Sequence, residues 1–280
     1  SGAEGVPAGG FARKVDRIDL AVTYVNPVVV YELAGEKLAL SVGFIYAHSR
    51  LESSSKPVIA LGPGGTVVRK LADLNQKVYG DGYTFNVGAH SNVSEKLRLG
   101  AYYRHKIFMD YDHGYFTATK RNESVFGVGA ARFQTRLNAD FSLPGTFGCG
   151  LNYQATDELS AEVNVEYSTW SEFDRVDADM GSPMRSASGA IVVNDATLSS
   201  DPNFDDCMAV RVGVAYECSE TLTVRAGYYY EESPQPEESV APNLADSDKH
   251  AVTLGATKKM GMATVDFAYI LGVPNDRDVE

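Results

Sequence analysis

Apolar and polar residues alternate with a period of two along most of this chain, in segments set off by short polar turns. Leu97, Leu99, Ala101 and Tyr103 share one side of their segment, opposite Arg98, Gly100, Tyr102 and Arg104. Ala161, Val163, Val165 and Tyr167 oppose Glu162, Asn164 and Glu166, and Met208, Val210, Val212, Val214 and Tyr216 oppose Arg211 and Gly213. Leu222, Val224, Ala226 and Tyr228 oppose Thr223, Arg225 and Gly227. Successive strand side chains point to opposite faces, so each run predicts a β-strand with one apolar and one polar face. Ten strands are predicted, near 18–31, 38–52, 78–91, 97–118, 136–154, 159–179, 207–217, 222–232, 249–258 and 263–273. Pro27 and Pro144 each predict a bulge or a distorted ladder, because proline has no amide hydrogen to donate.

The connections sort by length. Five short turns, at 33–37, 93–96, 155–158, 218–221 and 259–262, fall at one end of the strands, and four of them run directly into Leu38, Leu97, Leu159 and Leu222. The predicted long loops, 53–77, 119–135, 180–206 and 233–248, all fall at the other end. This is the wiring of an all-β, antiparallel up-and-down transmembrane β-barrel. The same alternation also fits a soluble barrel turned inside out, with its apolar residues inward; loop sorting and strand count favour the membrane form. An arginine at mid-bilayer on the lipid face costs about 2–4 kcal/mol. Arg98, Arg104, Arg211 and Arg225 are therefore expected to face inward.

Composition narrows the function classes. No stretch of the 280 residues approaches 18 consecutive apolar residues, which excludes a transmembrane helix but not a strand that needs only about 9–11. A net charge of −12 argues against nucleic acid as a partner. Cys207 and Cys218 are expected at opposite ends of one strand, roughly 36 Å apart and far beyond disulfide reach. The start, Ser1-Gly2-Ala3-Glu4, has no secretory signal pattern. Residues 1–17 read as a loop remnant, 18–273 as a partial barrel and 274–280 as a loop cut short.

Specific residues carry a resemblance. Ser142-Leu143-Pro144-Gly145-Thr146-Phe147-Gly148, then Glu166-Tyr167-Ser168-Thr169-Trp170-Ser171-Glu172-Phe173, are followed by Leu222-Thr223-Val224-Arg225-Ala226-Gly227-Tyr228. After these come Ser233-Pro234-Gln235-Pro236, Pro242 and Asp246-Ser247-Asp248-Lys249-His250. In this order the chain resembles the long-chain fatty-acid outer-membrane transporters of the FadL type, over roughly residues 18–273. The resemblance implies a fourteen-strand barrel plugged by an N-terminal hatch, of which about ten strands are present here. It also implies passive uptake of long-chain fatty acids or other hydrophobic small molecules, aromatic hydrocarbons included. The expected partners are that small molecule and outer-membrane lipid, the expected state is a monomer, and no cofactor is expected. By strand order, loops 53–77 and 119–135 correspond to the family's outer capture groove. They hold Ile59, Leu61, Val68, Leu71 and Leu74 in one and Phe126 and Phe133 in the other; packing between the loops is the plainer reading.

An inward arginine could hold a fatty-acid carboxylate in two-pronged fashion, and Arg104 and Arg225 are the candidates. The plainer alternative is that the arginines pair with Glu162, Glu166 and Asp266. Trp170 and the strand-end tyrosines fit an interfacial aromatic girdle. No enzyme is expected: Gly62-Pro63-Gly64-Gly65 lacks the lysine of a phosphate loop, and no Gly-x-Ser-x-Gly elbow is present. The scattered histidines give no zinc spacing. A rival reading, an outer-membrane phospholipase-like barrel, requires a Ser–His pair at the outer rim, with His105 or His250 as its histidine.

Overall fold

The computed structural model describes residues 11–33, 37–61, 67–70, 72–120, 132–173, 176–181, 184–185, 191–193, 197–200, 203–236 and 246–275. Ten ribbons follow in chain order. The first joins β1 (Phe11–Val25) to β2 (Val28–Leu33) across Asn26-Pro27, and the second is β3 (Leu38–Leu61). The third is β4 (Val67–Lys70) with β5 (Ala72–Asn92), and the fourth β6 (Leu97–Arg104) with β7 (Ile107–Lys120). The fifth joins β8 (Arg132–Leu143) to β9 (Thr146–Gln154) across Pro144-Gly145. The sixth is β10 (Leu159–Ser168) with β11 (Val176–Met180), separated by the 3-10 turn Trp170–Glu172. A small hairpin, β12 (Met184–Arg185) with β13 (Ile191–Val193), precedes β14 (Thr197–Ser200) and β15 (Cys207–Ser219), the seventh ribbon. β16 (Leu222–Glu231), β17 (Lys249–Met260) and β18 (Ala263–Pro274) complete the meander.

Every ribbon pairs antiparallel with its neighbours in sequence. Among the described residues β1 and β2 pair only with β3, and β18 only with β17, so the sheet curls into an open, incomplete barrel. Among the described residues no helix is long and apolar enough to cross a membrane. The ten expected strands are present in the expected order, but several boundaries move. β3 runs on to Leu61 and β5 starts at Ala72, with β4 paired to β3 between them, so most of the expected loop 53–77 is strand. Ser53-Ser54-Ser55 has loop composition, yet it is laddered on both sides, by β1 and by β5. Likewise 11–17, expected as a loop remnant, is strand, and the expected loop 180–206 contains β12, β13 and β14. Cys207 and Cys218 do sit near opposite ends of β15, both as free thiols.

Two short turns close by the same device. Ser94 Oγ accepts from the backbone N–H groups of Lys96 (3.2 Å) and Leu97 (3.1 Å), and Thr156 Oγ1 accepts from those of Glu158 (3.2 Å) and Leu159 (3.1 Å). A hydroxyl at the turn's start satisfies amides that the ladder leaves free.

The polarity of the wall inverts partway up. Near the short turns, Leu40, Val42, Phe44, Phe85, Val87, Leu99, Leu151, Val163, Val212 and Leu254 are exposed on one face. In register on the opposite face stand Ser41, Asn86, Gly88, Arg98, Gly100, Asn152, Glu162 and Arg211. Beyond Tyr46 and Tyr83 the first face becomes polar: His48, Arg50, Glu52, Lys77, Asp81 and Asp110 occupy it. The second face there becomes apolar, with Ala47, Val78, Ile107, Met109 and Leu137 buried. An apolar outer band ending in rings, followed by charge, is the signature of a bilayer edge. The ring contacts of that edge include Phe44–Tyr83 at 5.9 Å, Tyr46–Tyr83 at 5.4 Å and Phe85–His105 at 5.3 Å. Above it Lys77 Nζ reaches Glu52 at 2.6 Å; this hydrogen bond holds the Glu52 carboxyl below its usual range and the Lys77 amine above its own.

At the same level the ladder breaks, and side chains stitch the breaks. Thr84 Oγ1 donates to the carbonyls of His105 (3.0 Å) and Lys106 (2.9 Å), between β6 and β7. Thr169 Oγ1 accepts from Gly145 N–H at 3.0 Å, between β8 and β9. Asp206 accepts from Ser171 N–H (2.9 Å) and Tyr167 O–H (2.6 Å), between β10 and β11. An unpaired buried carbonyl or amide costs about 1–3 kcal/mol, a cost that the part-buried Thr84 and Thr169 bonds reduce.

Val163→Arg puts a charge on the apolar outer face and is expected to lower stability in bilayers by about 2–4 kcal/mol. Urea unfolding of the protein in lipid vesicles measures it; an unchanged midpoint would mean that this face does not meet lipid.

Candidate functional site

The inner face carries two zones and a boundary. The upper zone is the apolar patch beyond the bilayer edge: Ala47 from β3, Val78 from β5, Ile107, Met109, Tyr111 and Phe116 from β7, and Leu137 from β8. Val22, Leu51, Leu74, Phe141 and Leu143 pack against it. Met109 is 0% and Tyr111 1% exposed. The Tyr111 hydroxyl donates to Ser49 Oγ at 2.8 Å, satisfying both polar groups inside an apolar setting. A chain of rings continues outward from Tyr111: Phe141 at 4.8 Å, Phe173 beyond it at 5.4 Å, then Phe204 at 5.5 Å from Phe173 and Trp170 at 5.8 Å from Phe204. Trp170, expected in the interfacial girdle, thus packs on Phe173 and Phe204 at the break between β10 and β11.

The lower zone is a polar ladder across the membrane-embedded wall. Arg98 Nη2 donates to Asn152 Oδ1 at 2.9 Å, and Asn152 Nδ2 donates to Glu162 Oε2 at 3.4 Å. Asn164 Nδ2 donates to the other Glu162 oxygen at 2.6 Å. Tyr102 O–H donates to Glu166, whose second oxygen accepts from Arg211 Nη2 at 3.5 Å. Arg225 Nη1 donates to Thr257 Oγ1 at 2.7 Å, and Thr257 donates on to Asp266 at 2.6 Å. All four arginines therefore face inward, as the cost of placing them in lipid requires. Three of them are drawn toward the carboxylates named from sequence.

Arg104 is different. It sits at the boundary, three residues before Ile107, with Nη2 donating to Thr146 Oγ1 at 2.8 Å. Its Nε is buried without a hydrogen-bond partner among the described residues. A buried guanidinium N–H left unpaired is costly.

The remaining expected ligand residues are only partly described. Leu74 joins the apolar patch. Ile59 lies in β3, Val68 in β4, Phe133 in β8 and Leu61 at the end of β3, on strand where loop was expected. Leu71 and Phe126 lie outside the described residues. Sequence reading missed Ile107, Met109, Tyr111 and Leu137. Their signal was the switch of apolar parity within β3, from Leu40, Val42 and Phe44 to Ile45, Ala47 and Leu51. The histidines of the rival lipase reading have tyrosine rather than serine partners: Tyr103 O–H meets His105 Nδ1 at 2.8 Å, and Tyr228 O–H meets His250. Among the described residues no cluster of His, Cys, Asp or Glu could hold a metal ion.

The chain matches, over residues 3–278, the model of a family described as outer membrane protein transport protein (OMPP1/FadL/TodX). It is 23% identical over 290 residues to outer membrane protein P1 of Haemophilus influenzae, covering 95% of this chain and 58% of that protein. It is 22% identical over 194 residues to the long-chain fatty acid transport protein of Escherichia coli K12, covering 67% and 40%. The chain thus spans about half the length of the curated relatives it matches. Among solved structures, a FadL homologue of Pseudomonas aeruginosa superposes with a TM-score of 0.76 at 16% identity, over 92% of this chain and 61% of that one. The Ralstonia pickettii toluene transporter TbuX superposes at 0.64 with 17% identity, over 91% and 63%. These two likenesses show the fold.

Tyr111→Phe is expected to destabilise the protein by about 1–2 kcal/mol, because the fully buried Ser49 hydroxyl loses its partner. The urea midpoint in vesicles reads this out, and no shift would place Ser49 in contact with water.

Proposed function

Because this chain belongs to the OMPP1/FadL/TodX family of outer membrane transport proteins, we propose that it walls a passive uptake route for long-chain fatty acids or other hydrophobic small molecules. The observation that supports this reading most is the junction of the apolar inner patch with Arg104. An alkyl chain laid on the half-buried side chains that border the patch, Leu51, Leu74, Phe141 and Leu143, leaves water, gaining about 0.8 kcal/mol per buried methylene. A carboxylate at its lower end meets the half-buried Arg104 guanidinium, where it competes with Thr146 for Nη2. Capture is assigned to the loop-side ends of the first five ribbons, the stretch holding Ile59, Leu61, Val68, Leu71, Phe126 and Phe133. Arg225 is the weaker anchor, since its Thr257 partner is tied on to the carboxylate of Asp266.

Below Arg104 the ladder's charges are largely matched, so a ligand meets no second site of comparable strength and can move on. Binding and diffusion suffice, with no covalent step. The apolar outer band supplies the contact with outer-membrane lipid.

Cells expressing the complete gene are expected to take up labelled oleate faster than control cells. Arg104→Gln is expected to weaken oleate binding about 10- to 100-fold, the worth of one charge-assisted hydrogen-bond pair, and to leave toluene uptake unchanged. Equal loss of both ligands would give Arg104 a structural role, and uptake of neither by the wild type would end the reading.

A further inference from the structure

The outward face of the lower wall is not uniformly tall. Ala89 of β5, Ala101 of β6 and Cys149 of β9 stand in one register row on that face, all exposed. The row one step nearer the ring carries Val87, Tyr103 and Phe147. The row one step nearer the short turns carries Ser91, Leu99 and Leu151. Leu40 of β3 closes the small row at one end and Val165 of β10 at the other. Small side chains farther along this face stand singly: Ala226 lies between Val214 and Leu254, and Ala256 between Val224 and Phe267.

Two hollows follow from this step in side-chain height. One of about 440 Å³ lies between Leu40, Val87, Tyr103 and Phe147, and one of about 420 Å³ between Leu99, Leu151, Val163 and Val165. Ala89 and Ala101 floor both, so the two join into one trough. From Leu40 to Val165 the row crosses four strand spacings, about 19 Å at roughly 4.8 Å each. Strands of such barrels tilt by about 35–45°, so the row descends obliquely by about 11–13 Å. That is close to one leaflet of a hydrocarbon core about 30 Å thick.

Lipid covers this face, and the trough decides how closely. On a flat wall an alkyl chain touches protein along one side. In the trough it touches the floor and both banks, and each added contact gains dispersion energy that a gap forfeits. The polar groups choose the source of the chain. Arg98, Arg104, Arg211 and Arg225 face the other side of the wall, so a free fatty acid lying here would leave its carboxylate without them. Above the trough the ring offers headgroup partners instead: the Tyr103 hydroxyl meets His105 Nδ1 at 2.8 Å, and Tyr167 donates to Asp206 at 2.6 Å.

We infer that the trough is a fixed seat for one acyl chain of a lipid anchored in the loop-side leaflet, which in an outer membrane is lipid A. The site lies on the outside of the wall, separate from the uptake route proposed along its inside.

Native mass spectrometry of the purified full-length protein in detergent tests it. Lipid A is the probe, phosphatidylethanolamine the competing bilayer lipid and oleate the transported acid. One lipid A is expected to stay on the wild type at collision energies that strip phosphatidylethanolamine. Ala101→Leu and Cys149→Leu each raise the floor toward the height of its banks, and both side chains point away from protein. Each is expected to lower retained lipid A about tenfold, the worth of roughly two methylenes left unburied, and to keep oleate binding. Ala256→Leu, on the same face away from the trough, is expected to retain lipid A as the wild type does. Unchanged retention in Ala101→Leu and Cys149→Leu, or equal loss in Ala256→Leu, overturns the inference. Retention of phosphatidylethanolamine in place of lipid A, or release of lipid A by equimolar oleate, overturns it too. Oleate failing to bind the wild type while lipid A behaves as expected overturns the uptake reading and leaves the trough standing.

Discussion

A strand that crosses a bilayer must pair all its backbone groups within protein and show lipid only apolar side chains. The ribbons obey that rule over their lower part, and β3, β5, β7 and β8 reverse it over the upper. Below the ring of Phe44, Tyr83, Phe85 and Tyr103, apolar residues point out and polar ones in. Above it, His48, Arg50 and Lys77 point out while Val78, Met109 and Tyr111 point in. The upper wall thus has the polarity of a water-soluble sheet and the lower wall that of a membrane barrel. The inner face consequently changes from apolar to polar along a single line.

The same line is where the ladders break. Pro27 and Pro144 cannot donate, and His105-Lys106 leaves the sheet, so several carbonyls and amides lose their strand partners within one band. Thr84, Thr169 and Asp206 replace those partners. A wall interrupted at the bilayer edge can curve there, and Arg104 ends the strand at that interruption. There Thr146 of the neighbouring ribbon accepts from its Nη2, and its Nε is left without a partner among the described residues.

Much of the fold was legible in the residues. Period-two alternation, turn positions and the two prolines gave the ribbon order and the inward arginines. The extent of the upper strands was not, because Ser53-Ser54-Ser55 and Pro57 look like loop while their backbone pairs on both sides. The apolar inner patch was missed for a related reason. Assigning one face per ribbon assumes that its polarity holds from end to end, and β3 changes parity between Phe44 and Ala47. Of the residues chosen for the site by apolar composition, Leu74 joins the patch, and the side chains of the others lie outside the described residues. Arg104 was legible as an inward cation, but its unpaired nitrogen depends on the ladder break and required three-dimensional structure.

The central claim is that lipid meets one face of the lower wall and water the other. Nitroxide labels placed singly from residue 161 to 167 of β10, in protein cleared of its own cysteines and folded into vesicles, test it through collision with oxygen and with a water-soluble nickel complex. The account predicts strict alternation, with oxygen favoured at 161, 163, 165 and 167 and nickel at 162, 164 and 166. Labels that alternate in the opposite phase, or that all favour nickel, would contradict it.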